Sequence, residues 1–171
     1  MHLETLKAIK TRRSIRQYES RPVPAGLVTQ LLAAAMQAPS ACNQQPWEFV
    51  VIDDRAILDA IPTYHANAEM CLQAPLAILV CADTRALKAV DHWIEDCSAA
   101  TQNLLLAAHD AGLGAVWTAV RADPAREAAF QRTLNLPAGI TPLALVPIGY
   151  PAEIKEPEDR FLPGRVHHNR W

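Results

Sequence analysis

Residues 91–112 read DHWIEDCSAATQNLLLAAHDAG and carry the longest helical pattern in the chain. Small and apolar side chains recur there at intervals of three and four residues, at Trp93, Cys97, Ala100, Leu104, Ala107 and Ala111, and the stripe is widened by Ile94, Thr101, Leu105 and Ala108. Asp91 is expected to cap the start of this helix, and Gly112 is expected to end it. A stripe of this width predicts a helix that is buried on most sides, central to the fold and part of a subunit contact.

Shorter patterns on either side predict the remaining elements. Helices are predicted near residues 3–12, 24–36, 55–60 and 123–132, and strands at residues 47–52, 77–81, 115–120 and 142–148. Asp123, followed by Pro124, is expected to cap the last of these helices. The first of these strands is expected to be buried. Helices and strands do not alternate strictly, which favours an α+β fold over a doubly wound parallel sheet. The length suits one domain over residues 1–171, with an irregular tail from residue 150 onwards that lies along the body or reaches a partner chain.

The composition excludes several classes of protein. The chain has 171 residues, of which 16 are basic and 18 acidic, and half are hydrophobic. This near-neutral balance argues against a nucleic-acid-binding protein with a strongly basic face. Residues 1–10 lack the apolar core of a signal peptide, and no run of 18 apolar residues exists, so we expect a cytoplasmic protein without a membrane span. The four cysteines form no C-x-x-C pair and are expected to be buried thiols.

Most catalytic motifs are absent. The run Gly112-Leu113-Gly114 looks like the start of a dinucleotide-binding fingerprint, but a predicted helix precedes it and a predicted strand follows, which is the wrong order. The end of a helix explains these glycines better. The chain has no phosphate-binding P-loop, no G-x-S-x-G elbow, no H-E-x-x-H and no zinc-type Cys/His spacing. A nucleotide hydrolase, a serine hydrolase and a metal centre are therefore poorly supported.

The basic residues are unevenly distributed. Only four of the 16 cations are lysines, and residues 12–16 read RRSIR. If this segment is extended, Arg12, Ser14 and Arg16 point to one side and Arg13 to the other. Three guanidinium groups and a hydroxyl in five residues would suit a phosphomonoester. An exposed basic turn, or a general preference for arginine over lysine, would produce the same pattern, so the residues alone leave these readings open.

Four motifs, taken in order along the chain, resemble those of the FMN-dependent nitroreductase family. They are RRSIR at residues 12–16, APSACNQQPW at residues 38–47, DCSAA at residues 96–100 with GLG at residues 112–114, and PIGYP at residues 147–151 with the ending RVHHNRW. The resemblance covers residues 11–171. It implies an α+β fold whose central mixed, largely antiparallel sheet is flanked by helices. It also implies a homodimer with two FMN sites at its interface and a C-terminal tail that reaches across the partner.

The same resemblance implies which residues bind the cofactor. The FMN phosphate and ribityl chain would be held by Arg12, Ser14 and Arg16, with Arg13 beside them, and by the tail cations Arg160 and Arg165. The flavin ring would be lined by Pro39, Ser40, Ala41 and Asn43 of the other subunit. The pyrimidine edge and the region of flavin N5 would meet Asn67 and the backbone of Trp117, Thr118 and Ala119.

One position departs from the family pattern. Many relatives carry a lysine near the flavin pyrimidine where this chain has Met70. The positive charge there is expected to be lower, or to be supplied by Arg12. Cys42 and Trp117 occupy variable positions and are expected to shape the substrate pocket.

The activity that the resemblance implies is oxidation of NADH or NADPH. The nicotinamide would deliver hydride to flavin N5 and leave, and a nitroaromatic, quinone or similar small molecule would then be reduced in the same pocket, in a ping-pong mechanism. The flavin performs this chemistry, so no catalytic side chain is assigned. Two alternatives remain: dehalogenase or flavin-fragmenting chemistry on the same fold, and a non-enzymatic FMN-binding protein. The short segment at residues 61–73 leaves little room for the substrate-ordering lid of the first alternative.

Overall fold

Over residues 4–121 and 123–171, which it describes, the computed structural model contains five α-helices and five β-strands. The helices are α1 (Thr5–Thr11), α2 (Ala25–Ala35), α3 (Arg55–Ala60), α4 (Trp93–Asp110) and α5 (Pro124–Thr133). The strands are β1 (Trp47–Ile52), β2 (Leu76–Asp83), β3 (Gly114–Ala115), β4 (Thr118–Ala119) and β5 (Ile140–Gly149). The predicted order of helices and strands is confirmed, except that one predicted strand is split.

The strands form one sheet in the order β1-β2-β5-β3, and β4 also pairs with β5. Each of these strand pairs is antiparallel. A parallel contact is made by an isolated bridge between Ser14 and Ala115. The expectation of an α+β fold with a mixed, largely antiparallel sheet is therefore confirmed.

Helices cover both faces of the sheet. Neighbouring residues of a strand point to opposite faces, so each face is packed by a different set of side chains. Ile78 and Val80 of β2 pack in one cluster with α2 and α4. Leu79 and Cys81 pack in a second cluster that includes Leu58 of α3 and Phe130 of α5. This double burial explains why β2 and β5 read as nearly continuous apolar runs. Helix α4 packs against α2 and the sheet, so its predicted central position is confirmed.

The ends of two helices test the predicted caps. Asp91 lies in a short 3₁₀ turn, Val90–His92, so α4 begins after it and the cap position falls to His92. The prediction for Asp91 is therefore wrong, because the chain enters the helix through this turn. Gly112 has a φ of +75°, the left-handed conformation expected where a helix ends. The side chain of Asp123 accepts a hydrogen bond of 3.1 Å from the Arg126 N–H and caps α5.

Two strand predictions need correction. The strand expected at residues 115–120 is divided into β3 and β4, because Pro147 stands on β5 opposite the break and has no N–H to continue the ladder. The strand expected to be buried, β1, pairs with β2 alone among the described strands, and Glu48 and Val51 are exposed. In addition, 3₁₀ turns at Ile61–Thr63 and Ala66–Leu72 fill the connection from α3 to β2, where no helix was predicted.

The C-terminal tail leaves the sheet after β5. Its first residues run beside the segment that follows α1, where Tyr18 bridges Pro151 and the Ala152 N–H donates to the Gln17 carbonyl at 2.9 Å. Beyond residue 155 the side chains are exposed, and Trp171 is fully accessible. Whether the tail crosses a partner stays a prediction. In the described part of the chain, no helix has the length and apolarity needed to cross a membrane.

Candidate cofactor site

The arginine-rich segment at residues 12–16 is extended and lies against the sheet. Helix α1 ends at Thr11, and the Ile15 N–H then donates to the Ala115 carbonyl at 3.1 Å. Gly114 makes this close approach possible: a Cβ at that position would lie 2.6 Å from the Ile15 side chain. The glycine thus places the cations of the segment at the edge of the sheet near β3.

Two of these cations meet the tail at a cavity of about 540 Å³. Arg12, Arg13 and Arg160 line it, together with Lys10 and Phe161 among others. Burial lowers the pKa of Arg12, and the positive charges of Arg13 and Arg160 lower it further. Positive charges have therefore been brought together here, as an anion-binding site requires, and the carboxylates of Glu158 and Asp159 line the same cavity.

Arg13 is held by hydrogen bonds to the main chain around it. Arg13 folds back and donates to the carbonyl oxygens of Glu156, Arg12 and Lys10, at 3.0, 2.6 and 2.7 Å. It lines the same cavity as Arg12, so the expectation that the two point to opposite sides is wrong. The reason is that the Arg13 guanidinium folds back onto the carbonyl oxygens of Lys10 and Arg12 and so reaches the side of Arg12. Arg160 pairs with Glu158 at 2.9 Å on the surface.

A second cavity, of about 440 Å³, lies beyond the other end of the segment. It is lined by Arg16, Ala66, Asn67, Glu69, Met70, Trp117, Thr118 and Ala119. Asn67 stands on the 3₁₀ turn after α3, and Trp117 stands at the break between β3 and β4. The structure therefore brings together the four residues expected at the flavin ring, and it places Arg16 with them and not at the cavity of Arg12, where the resemblance had assigned it.

The walls of this cavity are fixed from behind. The Thr118 hydroxyl donates to the Leu145 carbonyl at 2.9 Å, and the Arg126 guanidinium donates to the Ala119 carbonyl at 2.7 Å. Next to Asn67, the ring of His65 is buried and packs edge-on to Phe130. Burial, and then the charge of Arg126, lower the pKa of His65 to about 4, so the ring is neutral near pH 7. No sequence pattern indicated these supporting residues.

The loop between α2 and β1 forms a third group. Pro39, Ser40 and Ala41 line a cavity of about 350 Å³ beside the start of α4, and its lining shares no residue with the other two cavities. Three residues of the loop, Cys42, Asn43 and Gln45, have φ values of 52°, 49° and 47°. Left-handed backbone at non-glycine residues costs free energy and persists where the surroundings hold it.

Asp96 of α4 supplies that support. Its buried carboxylate accepts hydrogen bonds from the Ala41 N–H at 2.8 Å and from the Gln44 amide at 2.7 Å. The side-chain Oε1 of Gln44 in turn accepts from the N–H groups of Lys88 and Ala89 at 3.0 Å each. Sequence reasoning recognised the loop but missed these two supporting residues, although both lie inside the motifs that were quoted.

The remaining predicted residues lie outside the three cavities. Ser14 stands between the first two, where its backbone bridges β3. Asn43 is exposed in the loop and accepts from the Gln45 side chain at 3.1 Å. Arg165 lies in the 3₁₀ turn Pro163–Arg165 and does not line the cavity of Arg12 and Arg160. The structure therefore does not bring Arg165 to the other tail cation.

The cysteines and acidic residues offer no other reaction centre among the described residues. Cys71, Cys81 and Cys97 are buried, and burial raises the pKa of each thiol to about 12. Cys42 is exposed, so the expectation of four buried thiols is wrong at that position. In the ranges 4–121 and 123–171, no group of three or more His, Cys, Asp or Glu side chains could hold a metal ion.

Comparison with known proteins identifies the family of this chain. The nitroreductase family model matches residues 9–68 and 62–150. A protein of Methanothermobacter thermautotrophicus, provisionally named an NADH dehydrogenase/NAD(P)H nitroreductase, is 45% identical over 169 residues, which cover 99% of this chain and 88% of that protein. A crystal structure from Parabacteroides distasonis with the same provisional name has a TM-score of 0.93 at 42% identity and covers 98% of both chains.

A further solved structure carries a ligand. It is a provisionally named nitroreductase from Desulfovibrio desulfuricans in complex with FMN, with a TM-score of 0.86 at 31% identity, covering 100% of this chain and 99% of that one. The family model spans most of the chain, and the relatives align over nearly its whole length. The chain therefore belongs to the nitroreductase family.

Proposed function

We propose that this protein is an FMN-dependent oxidoreductase that takes hydride from NADH or NADPH and reduces nitroaromatic, quinone or similar small acceptors by a ping-pong mechanism. The observation that carries the proposal is the extended segment at residues 12–16. It presents Arg12 and Arg13 to one cavity and Arg16 to the next. A ligand with an anionic end and a planar polar end would match this pair of cavities.

The residues present fit FMN. The cation cluster of Arg12, Arg13 and Arg160 suits a phosphate, which carries nearly two negative charges at neutral pH. The cavity of Arg16 offers the Asn67 amide and the edge backbone of Trp117 and Ala119 to a ring with hydrogen-bonding groups. Similarity to the FMN complex from Desulfovibrio desulfuricans supports the same assignment.

When bound, FMN supplies hydride transfer, and the protein supplies position, charge and access. Arg16 would stabilise negative charge on the pyrimidine side of the ring, where Met70 contributes none; Arg12, expected to supply this charge, lines the other cavity. The half-buried Trp117 would bound the space open to nicotinamide and acceptor. Asn67 would orient the ring through its amide. None of these roles requires a side chain to exchange a proton.

The site is proposed to be completed by a second copy of the chain. Pro39, Ser40 and Ala41 line a cavity that is separate from the cavity of Arg16, although the resemblance assigns both groups to one flavin. The tail also exposes large apolar side chains, including Ile154, which is 93% accessible, and Trp171. Cover by a partner would remove this surface from water. We therefore propose a homodimer whose interface holds two FMN sites.

The proposal is tested by reduction of the purified protein. We expect a yellow protein whose visible absorption is bleached anaerobically by NADH or NADPH and restored by a nitroaromatic or a quinone. Arg16→Ala should weaken FMN binding about 10- to 100-fold, the size of a charge-assisted contact. Arg132→Ala, which removes an exposed arginine at the end of α5, is the matched control and should change little.

Two results would overturn the proposal. A colourless protein that gains no thermal stability from added FMN would show that FMN is not its cofactor. Tight FMN binding without bleaching by either nicotinamide would favour a flavin-binding role without turnover. Equal FMN affinity of Arg16→Ala and Arg132→Ala would show that the ring cavity has been assigned to the wrong residues.

A further inference from the structure

The segment at residues 12–19 is held on two sides. On one side, the Ile15 N–H donates to the Ala115 carbonyl of β3 at 3.1 Å. On the other, it runs beside the first residues of the tail, where the Glu19 N–H donates to the Tyr150 carbonyl at 2.9 Å. This second side is built by backbone pairing as far as Gln17 and Ala152.

Nearer to the arginines, two charged side chains replace the backbone partners. The Glu153 carboxylate accepts from the Arg16 N–H at 2.5 Å, and the Lys155 ammonium donates to the Ser14 carbonyl at 2.7 Å. The two side chains also pair with each other at 3.2 Å. Burial would raise the pKa of Glu153, but the hydrogen bonds from Arg16 and Lys155 outweigh it and lower that pKa.

This pair lies directly behind the proposed ring cavity. Arg16, Glu69 and Met70 line that cavity and also line a neighbouring one of about 490 Å³, whose other wall contains Glu153 and Lys155. Both charged side chains are largely covered, with 17% and 34% of their surface accessible. They hold main-chain atoms of Ser14 and Arg16, so both side chains of the segment stay available to a ligand.

A restraint at this position would keep neighbouring positive charges from moving apart. Arg13 and Arg160 repel Arg12 at the first cavity, and Glu158 and Asp159 offset only part of this repulsion, so an unrestrained segment would relax by moving Arg12 away. A ligand would then have to order the segment again, at a cost in affinity. Hydrogen bonds that involve charged groups are strong enough to prevent this.

We propose that Glu153 and Lys155 are positioning residues: by holding the Ser14–Arg16 backbone they fix the segment so that Arg12 and Arg13, which precede it, meet the phosphate-bearing end of the cofactor at the first cavity. The inference rests on the proposed function, because it takes FMN as the ligand of this segment. It adds two tail residues to the determinants of flavin retention. Neither residue is assigned a contact with the flavin itself.

The test measures dissociation constants of full-length apoprotein for FMN and for riboflavin, which lacks the phosphate. Lys155→Met should lower the preference for FMN over riboflavin about tenfold, the effect of one charge-assisted hydrogen bond. Lys155→Arg, which keeps a cation that can donate to the Ser14 carbonyl, should restore the preference to within about twofold. Lys7→Met also removes one positive charge, but from an exposed position on α1, and it should leave the preference for FMN over riboflavin unchanged.

Glu153→Gln is a second variant, in case Lys155→Met does not fold. It keeps an oxygen that accepts from Arg16 but loses the charge that pairs with Lys155, so the preference should fall by a smaller factor. An equal loss of affinity for both flavins in the Lys155 variants would indicate general destabilisation and overturn the proposal. So would an unchanged preference while Arg16→Ala still weakens FMN binding. If Arg16→Ala also has no effect, the proposed function fails at this site, and the inference fails with it.

Discussion

The buried residue His65 makes the stability of the folded protein depend on pH. Only 1% of its surface is accessible, and neither ring nitrogen has a hydrogen-bond partner among the described residues. Burial, followed by the nearby Arg126, lowers the pKa to about 4. The ring is therefore neutral in the folded protein at a pH where the unfolded chain already binds a proton.

The sign of the pH dependence follows from this difference. The stability associated with a neutral His65 is fully present above pH 6.5 and is lost as pH falls through about 4, by at most about 3 kcal/mol. His65→Phe keeps an aromatic ring against Phe130 and should lose less stability between pH 7.5 and pH 4.5 than the parent protein. Urea unfolding of the apoprotein at both pH values measures this. The exposed His168→Phe is the control, and equal losses in the parent and His65→Phe would contradict the assignment.

Among the contacts between elements, the most important one for the site joins the extended segment at residues 12–16 to β3. Two short pieces of chain carry it: the segment after α1 and the two residues of β3. The site depends on this contact because Arg12 and Arg16 flank it on the segment. A glycine in β3 is what allows the two backbones to approach.

Gly114→Ala tests this contact. The added Cβ would lie within 2.6 to 3.1 Å of the Ile15 side chain, so the segment must shift. We expect a loss of about 1–3 kcal/mol in stability, as for other overpacked sites, and weaker FMN binding. Gly26→Ala is the matched control, since no atom lies within 4 Å of its added Cβ and alanine favours the helix in which it lies. Thermal unfolding and FMN titration of both variants are the measurements, and identical behaviour would contradict the assigned role of Gly114.

At the scale of the whole molecule, the arrangement of the three cavities predicts a shared site. If each flavin takes Arg16 from one chain and the loop of Asn43 from the other, two defective chains can complement each other. A heterodimer of Arg16→Ala and Asn43→Ala chains would have one intact site and one site with both defects. We expect each variant alone to bind FMN weakly, and the mixture, after joint refolding, to recover about one tight site per heterodimer.

The outcome separates shared from unshared sites. If each chain built its own site, every site in the mixture would still carry one defect, and no tight binding would return. Differently tagged chains allow the heterodimer to be purified before the FMN titration. The mass of the untagged protein in solution, measured by light scattering, should be twice 18.8 kDa.

Much of the fold could be predicted from the sequence because it depends on residues that are close together along the chain. The apolar stripe of α4, the left-handed glycine after it and the cap at Asp123 are properties of neighbouring residues, and the structure confirms these predictions except at Ile94 of the stripe, which is exposed. Pro147 broke the predicted strand at residues 115–120 because the proline lies on the opposite strand. That pairing joins residues about 30 positions apart and cannot be read from either stretch alone.

The kind of site could be predicted from the amino-acid sequence alone: an arginine-rich segment, a proline-bounded loop and a tail with further cations follow one another in an order that resembles one family. Their arrangement follows only from long-range packing: Arg12 and Arg160 lie at one cavity, Arg16 and Asn67 at another, and Asp96 fixes the loop at a third. Residue types and short spacings are encoded locally. The supports of the site, from Asp96 to the pair Glu153 and Lys155, act across 55 to 141 positions, and only packing brings such partners together.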